Sequence, residues 1–98
     1  MVREAIIAGK WWVSDHTIKR CDLREIDLEK LVFSIVSGEI LEDYPDDSRG
    51  HSCLILSYID GRPVHTVCGK NEDAIIFITA YWPEESQWID ERTRRVRE

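Results

Sequence analysis

No apolar run in the 98-residue chain approaches the roughly 20 residues that a membrane-spanning helix needs, so no such helix is expected. The opening stretch Met1-Val2-Arg3-Glu4-Ala5-Ile6-Ile7-Ala8-Gly9-Lys10 carries an acid and too short an apolar segment for a signal peptide, and the expected location is cytoplasmic. Cysteine is scarce. Cys21, Cys53 and Cys68 are odd in number and irregularly spaced, which argues against a secreted disulfide framework and for free thiols in a reducing compartment. There is no Gly-rich phosphate loop, nucleophile elbow or paired-carboxylate motif, and Gly61 and Gly69 read as turn glycines. Basic charge is also short, since 13 Lys and Arg face 19 Asp and Glu for a net charge of −6. Any RNA site must therefore be a local patch, with Lys19, Arg20 and Arg24 near the front and Arg92, Arg94, Arg95 and Arg97 at the tail as its candidates.

What is present is enough for one core and no more, so residues 1–98 read as a single domain. A hydrophobic content of 43%, with four Trp, excludes a disordered chain and predicts an aromatic-rich interior. Val2 to Ala8 reads as a short helix ended by Gly9, and Trp11-Trp12-Val13 as an extended bridge. Ser14 is a good N-cap for a helix running to about Cys21, with Asp15 in its positive first turn. Asp27 caps a further helix, Leu28 to Ser37, whose Leu28, Leu31, Val32, Ile35 and Val36 fall on one face before Gly38 closes it.

After Gly38 the period becomes strand-like: Ile40 to Tyr44, Ser52 to Ile59, Arg62 to Cys68 and Ala74 to Trp82. Asp60-Gly61 is a type I′ hairpin signal, because both central residues of that turn need positive φ. It sets Ile59 opposite Arg62, and hence Leu56 opposite His65 and Cys53 opposite Cys68. The expected architecture is α+β, with N-terminal helices packed on a small antiparallel sheet.

Three segments hold most of the chemistry: Ser14 to Arg20, Gly61 to His65, and Ile78 to Pro83. His16 and Arg20, four apart, share a helix face and can hold one anion together, with Lys19 alongside. Strict alternation places Ile75, Phe77, Thr79 and Tyr81 on one face of the last strand, where two hydroxyls break an apolar row. Each residue also has a plainer reading: a capping His, an Arg paired with an acid, a packed strand His at position 65, and Thr and Tyr as ordinary strand residues. A zinc site is not expected. His51 lies opposite Lys70 and His65 points away from Cys68, so His51, Cys53, His65 and Cys68 do not converge as tetrahedral ligands.

The succession Ser14-x-His16-x-x-x-Arg20, Ile26-Asp27, Gly38-Glu39-Ile40-Leu41-Glu42-Asp43-Tyr44-Pro45-Asp46-Asp47, Gly61-Arg62-Pro63-Val64-His65-x-Val67, Ile78-Thr79-Ala80-Tyr81-x-Pro83 and Trp88 resembles the small prokaryotic domain of unknown function numbered four-two-five-eight. Thr17, where Ala is common, and Cys21-Asp22-Leu23-Arg24-Glu25, where Met and an Arg-Gly turn are usual, depart from its pattern. The resemblance implies a RelE-like fold, akin to the RelE-like and MqsR-like toxins, and a zinc-finger antitoxin as partner. Its recurring polar positions fall on His16, Arg20, His65, Thr79 and Tyr81.

Two functions are compatible with these features. The first is a toxin acting as a metal-independent endoribonuclease on single-stranded RNA, without a cofactor. His16 and His65 would share acid and base roles, Arg20 would stabilise the phosphorane and Tyr81 would relay protons, while Lys19, Thr79 and Trp88 would hold the substrate. The second is a non-catalytic protein-interaction module that uses its sheet edge or aromatic surface. The sequence fixes neither the oligomeric state nor the RNA sequence cut.

Overall fold

The computed structural model describes residues 2–48, 50–84, 90 and 92. Three helices, α1 (Val2–Ile7), α2 (Asp15–Leu23) and α3 (Leu28–Ile35), accompany five strands, β1 (Trp11–Val13), β2 (Glu39–Tyr44), β3 (Ser52–Ile59), β4 (Arg62–Asn71) and β5 (Ala74–Tyr81). The strand order is β1-β5-β4-β3-β2. The fold is α+β as expected, but the sheet is mixed rather than antiparallel, because β1 lies parallel to β5 over Trp11–Val13 and Ile75–Phe77. Three residues read as a bridge are thus an edge strand. Nothing local in a tripeptide reveals a partner more than sixty positions away.

Local chemistry sets the helix ends. Ser14 accepts a hydrogen bond from the Thr17 amide at 3.1 Å and Asp27 accepts one from the Lys30 amide, each satisfying a donor the helix start leaves over. Gly9, at φ 75°, turns the chain out of α1. After α3 the sheet comes so close to Gly38 that a Cβ there would stand 2.6 Å from Ile55 Cγ2.

The β3–β4 hairpin follows its turn. Asp60 and Gly61 both have positive φ, and Leu56 faces His65 and Cys53 faces Cys68. The side chains of Cys53, Ile55, Val64, Cys68, Ile75, Phe77 and Ala80 meet those of Ala5, Cys21, Leu31 and Ile35 in one core between the helices and the sheet.

The strict alternation expected on β5 fails at one point. Val67 pairs with Thr79 but Cys68 pairs with Phe77, so Ile78 is an extra residue, a β-bulge. Ile75 and Phe77 keep to the helix side, whereas Thr79 and Tyr81 are turned to the other face beside Val67 and His65. The bulge also leaves the Phe77 and Ile78 carbonyls within reach of one donor, the buried Thr17 hydroxyl, at 2.6 and 2.7 Å. Just beyond the end of β1, α2 thereby takes over the edge of β5.

Two buried threonines should respond oppositely. Thr17→Val leaves strand-edge carbonyls unsatisfied and should cost about 1–3 kcal/mol. Thr66 Oγ1 is buried and has no hydrogen-bond partner among the described residues, so Thr66→Val should be neutral or stabilising by up to about 1 kcal/mol. Urea unfolding midpoints read at unchanged slope test both.

Candidate functional site

On the face turned away from the helices, His65 and Tyr81 are direct cross-strand partners. Their rings meet edge to face with centroids 5.3 Å apart, and His65 Nδ1 lies 3.4 Å from the Tyr81 hydroxyl. His65 is 0% exposed, whereas Tyr81 is only partly buried. The histidine thus backs the phenol, and the phenol is the member of the pair that solvent reaches.

Helix α2 approaches the same end of β5 from the edge. Thr17 and Cys21 are its buried residues, and His16, Lys19 and Arg20 are exposed. His16, Arg20 and Arg24 recur at intervals of four and so run along one flank. Arg24, just past the helix, donates through Nη1 to the Ala80 carbonyl at 2.6 Å and lies 3.5 Å from the Thr79 hydroxyl. The Trp82 indole N–H donates back to the Arg24 carbonyl at 2.7 Å. Over that indole sits Arg62, its guanidinium carbon 3.8 Å from the ring centroid. This is cation–π distance.

These residues enclose a cleft of about 470 Å³ lined by Arg24, Arg62, Tyr81, Trp82, Pro83 and Glu84. Two guanidiniums against one carboxylate make it a local cationic site on an acidic protein. Planar guanidiniums beside a hydroxyl and an aromatic face suit a phosphate ester with an attached base.

The structure thus brings together His65, Thr79 and Tyr81 of the expected set. His16, Lys19 and Arg20 stand on α2, where no hydrogen bond or ion pair with a described residue joins their side chains to His65. Trp88 lies outside the described residues. Sequence reasoning named Arg24 only as part of a basic patch for RNA and gave no site role to Arg62 or Trp82. The hairpin motif contains Arg62, but only the pairing of His65 with Tyr81 carries that end of β4 alongside Trp82.

The profile of a domain of unknown function, DUF4258, matches residues 13–82, which is 70 of the 98 residues. The chain belongs to the DUF4258 family. The matched span runs from the last residue of β1 to Trp82, so it contains His16, Lys19, Arg20, Arg24, Arg62, His65, Thr79, Tyr81 and Trp82 and leaves out α1 and Trp88. No curated protein and no solved structure matches the chain.

The three cysteines of this DUF4258 member are buried thiols. Desolvation raises the pKa of each, reinforced at Cys53 by Asp43 and at Cys68 by Cys53, and partly offset at Cys21 by Arg24. Their folded pKa values lie above those of the unfolded chain, so this contribution to stability is complete below the unfolded thiol pKa of about 8.5 and is lost as pH rises above it. Unfolding free energy should therefore fall between about pH 8.5 and 10. A triple Cys→Ser variant should show a shallower fall, and an equal fall in that variant would rule out the thiols as its cause.

Proposed function

We propose that this DUF4258 protein is a metal-independent endoribonuclease acting on single-stranded RNA, the toxin of a toxin–antitoxin pair with a RelE-like fold and a zinc-finger antitoxin as partner. The observation that carries the reading is a cleft with two arginines whose lining includes Tyr81, the residue whose hydroxyl lies 3.4 Å from the enclosed His65. RNA carries its own nucleophile. The 2′-hydroxyl attacks the adjacent phosphorus, the bond to the 5′-oxygen breaks, and the products are a 2′,3′-cyclic phosphate and a 5′-hydroxyl. The protein has to move two protons and stabilise the phosphorane.

In this scheme the Tyr81 hydroxyl touches the reacting atoms and transfers a proton. His65 holds its orientation, because burial keeps the imidazole itself from the substrate. This differs from an acid or base role for His65 while keeping the residue essential. Arg24 and Arg62 bind the phosphate and oppose its growing charge, and Arg20 extends the cationic flank along α2. His16 is the exposed imidazole on that flank and serves as the second proton-transfer group, with Lys19 and Thr79 contacting the strand of RNA.

The test is cleavage of a labelled single-stranded oligoribonucleotide by the purified protein, with the new ends identified. A cyclic phosphate should form and activity should persist in EDTA. Tyr81→Phe and His16→Ala should each lower the rate by about 10²- to 10⁴-fold. Arg24→Ala should weaken both binding and rate. Cleavage that requires a divalent metal, or that proceeds equally well in Tyr81→Phe and His16→Ala, would overturn the proposal.

A further inference from the structure

The opposite side of the sheet ends in β2, which pairs with β3 alone among the described strands. The two-residue turn makes Ile59 and Arg62 a hydrogen-bonded pair, so alternate residues of β3 point their amides toward β4 and the intervening Ser52, Leu54 and Leu56 point theirs toward β2. The partners of those three, Tyr44, Glu42 and Glu39, therefore face inward, while the amides of Ile40 and Asp43 point outward. Ile40 is 52% exposed and Tyr44 42%, while Leu41 and Glu42 between them are half-buried.

The strand's own charges are all acidic, with His51 Nε2 2.5 Å from Asp43 Oδ1 and the Tyr44 hydroxyl donating to Glu42. Positions 39–47 hold Glu39, Glu42, Asp43, Asp46 and Asp47 and no base. Acids on an edge strand are a known guard against edge-to-edge association, and here they act against a second copy. Antiparallel pairing of β2 with itself would set acid against acid, which is destabilising. They do not repel every strand. A basic strand is drawn to the same row, and an arginine is already accommodated there: Arg92 Nε donates to Glu39 Oε2 at 3.1 Å. At the other end of β2 a cleft of about 420 Å³ is lined by Asp43, Tyr44, Pro45, Asp46 and Asp47.

We propose that the outer edge of β2 is a docking site for an extended, basic segment of another polypeptide, which adds as a sixth strand. Its backbone pairs with the outward groups at Ile40 and Asp43. Its Lys or Arg side chains bind Glu39 and Glu42, which share one face of the sheet, and one enters the cleft beside Asp46 and Asp47. The apolar residues between them cover Ile40. This is strand addition, in which main-chain bonds supply affinity and alternate side chains supply specificity. Acidic residues repel RNA, so the surface is separate from the cationic cleft and does not depend on the RNA reading.

The probe is a fluorescent synthetic peptide of about nine residues alternating Lys or Arg with Val, a length matched to a typical strand. A second peptide of the same charge, with Pro at alternate positions, cannot pair its backbone. The first should bind the full-length protein and the second at least about tenfold more weakly, with affinity falling as salt rises from about 50 to 500 mM. Glu39→Lys with Glu42→Lys should abolish binding. Ile40→Pro, which removes an outward amide without touching the bonds to β3, should weaken it about tenfold at unchanged charge. Hydrogen exchange on the wild type provides a check independent of any variant, since the Ile40 and Asp43 amides should gain protection in the complex. Equal binding of the two peptides, no binding by the wild type, protection elsewhere on the sheet, or self-association through β2 would each overturn the proposal.

Discussion

The extra residue Ile78 in β5, and the Thr17 hydroxyl that answers it, hold the working end of the molecule together. A bulge changes which face later side chains occupy and leaves neighbouring carbonyls on the same side of the strand. Without it Tyr81 would share a face with Phe77 and enter the helix-covered core. With it, Tyr81 meets His65 on the opposite face. The displaced carbonyls need a donor, and Thr17 supplies it from the first turn of α2. The bond that satisfies the bulge also fixes the helix bearing His16 and Arg20, with Arg24 just past its end.

That anchoring explains why the cationic residues gather at one end of an acidic protein. Arg24 continues what Thr17 begins by satisfying the Ala80 carbonyl, and its own carbonyl receives the Trp82 indole N–H. Trp82 in turn supports Arg62 from the hairpin. The chain of contacts runs from helix to strand to hairpin and leaves two guanidiniums around Trp82 in a cleft that Tyr81 helps to line. The far edge of the sheet has the opposite character, with five acids between positions 39 and 47. The separation lets a protein of net charge −6 present one surface suited to phosphate and another suited to a cationic chain.

Much of this architecture was legible from local signals. Ser14 and Asp27 marked two helix starts, Asp60-Gly61 fixed the hairpin and its register, and the change of period after Gly38 separated helices from strands. His65, Thr79 and Tyr81 stood out because polar groups interrupt strands that are otherwise apolar. Two things were not legible. The pairing of Trp11–Val13 with β5 depends on chain segments distant in sequence. The bulge is invisible to a two-residue period, which assigned Thr79 and Tyr81 to the face of Phe77.

The sequence by itself therefore determined the three helices, the four strands that follow them, the register of the β3–β4 hairpin and the identity of most polar candidates, because caps, turns and apolar periods act over a few residues. Only the tertiary structure decided that His65 is enclosed behind Tyr81, that Arg24 and Arg62 flank Trp82, and that β2 is left as an acidic edge. Burial and cross-strand proximity depend on how distant segments pack. A single extra residue at position 78 was enough to reverse the face on which the candidate chemistry stands.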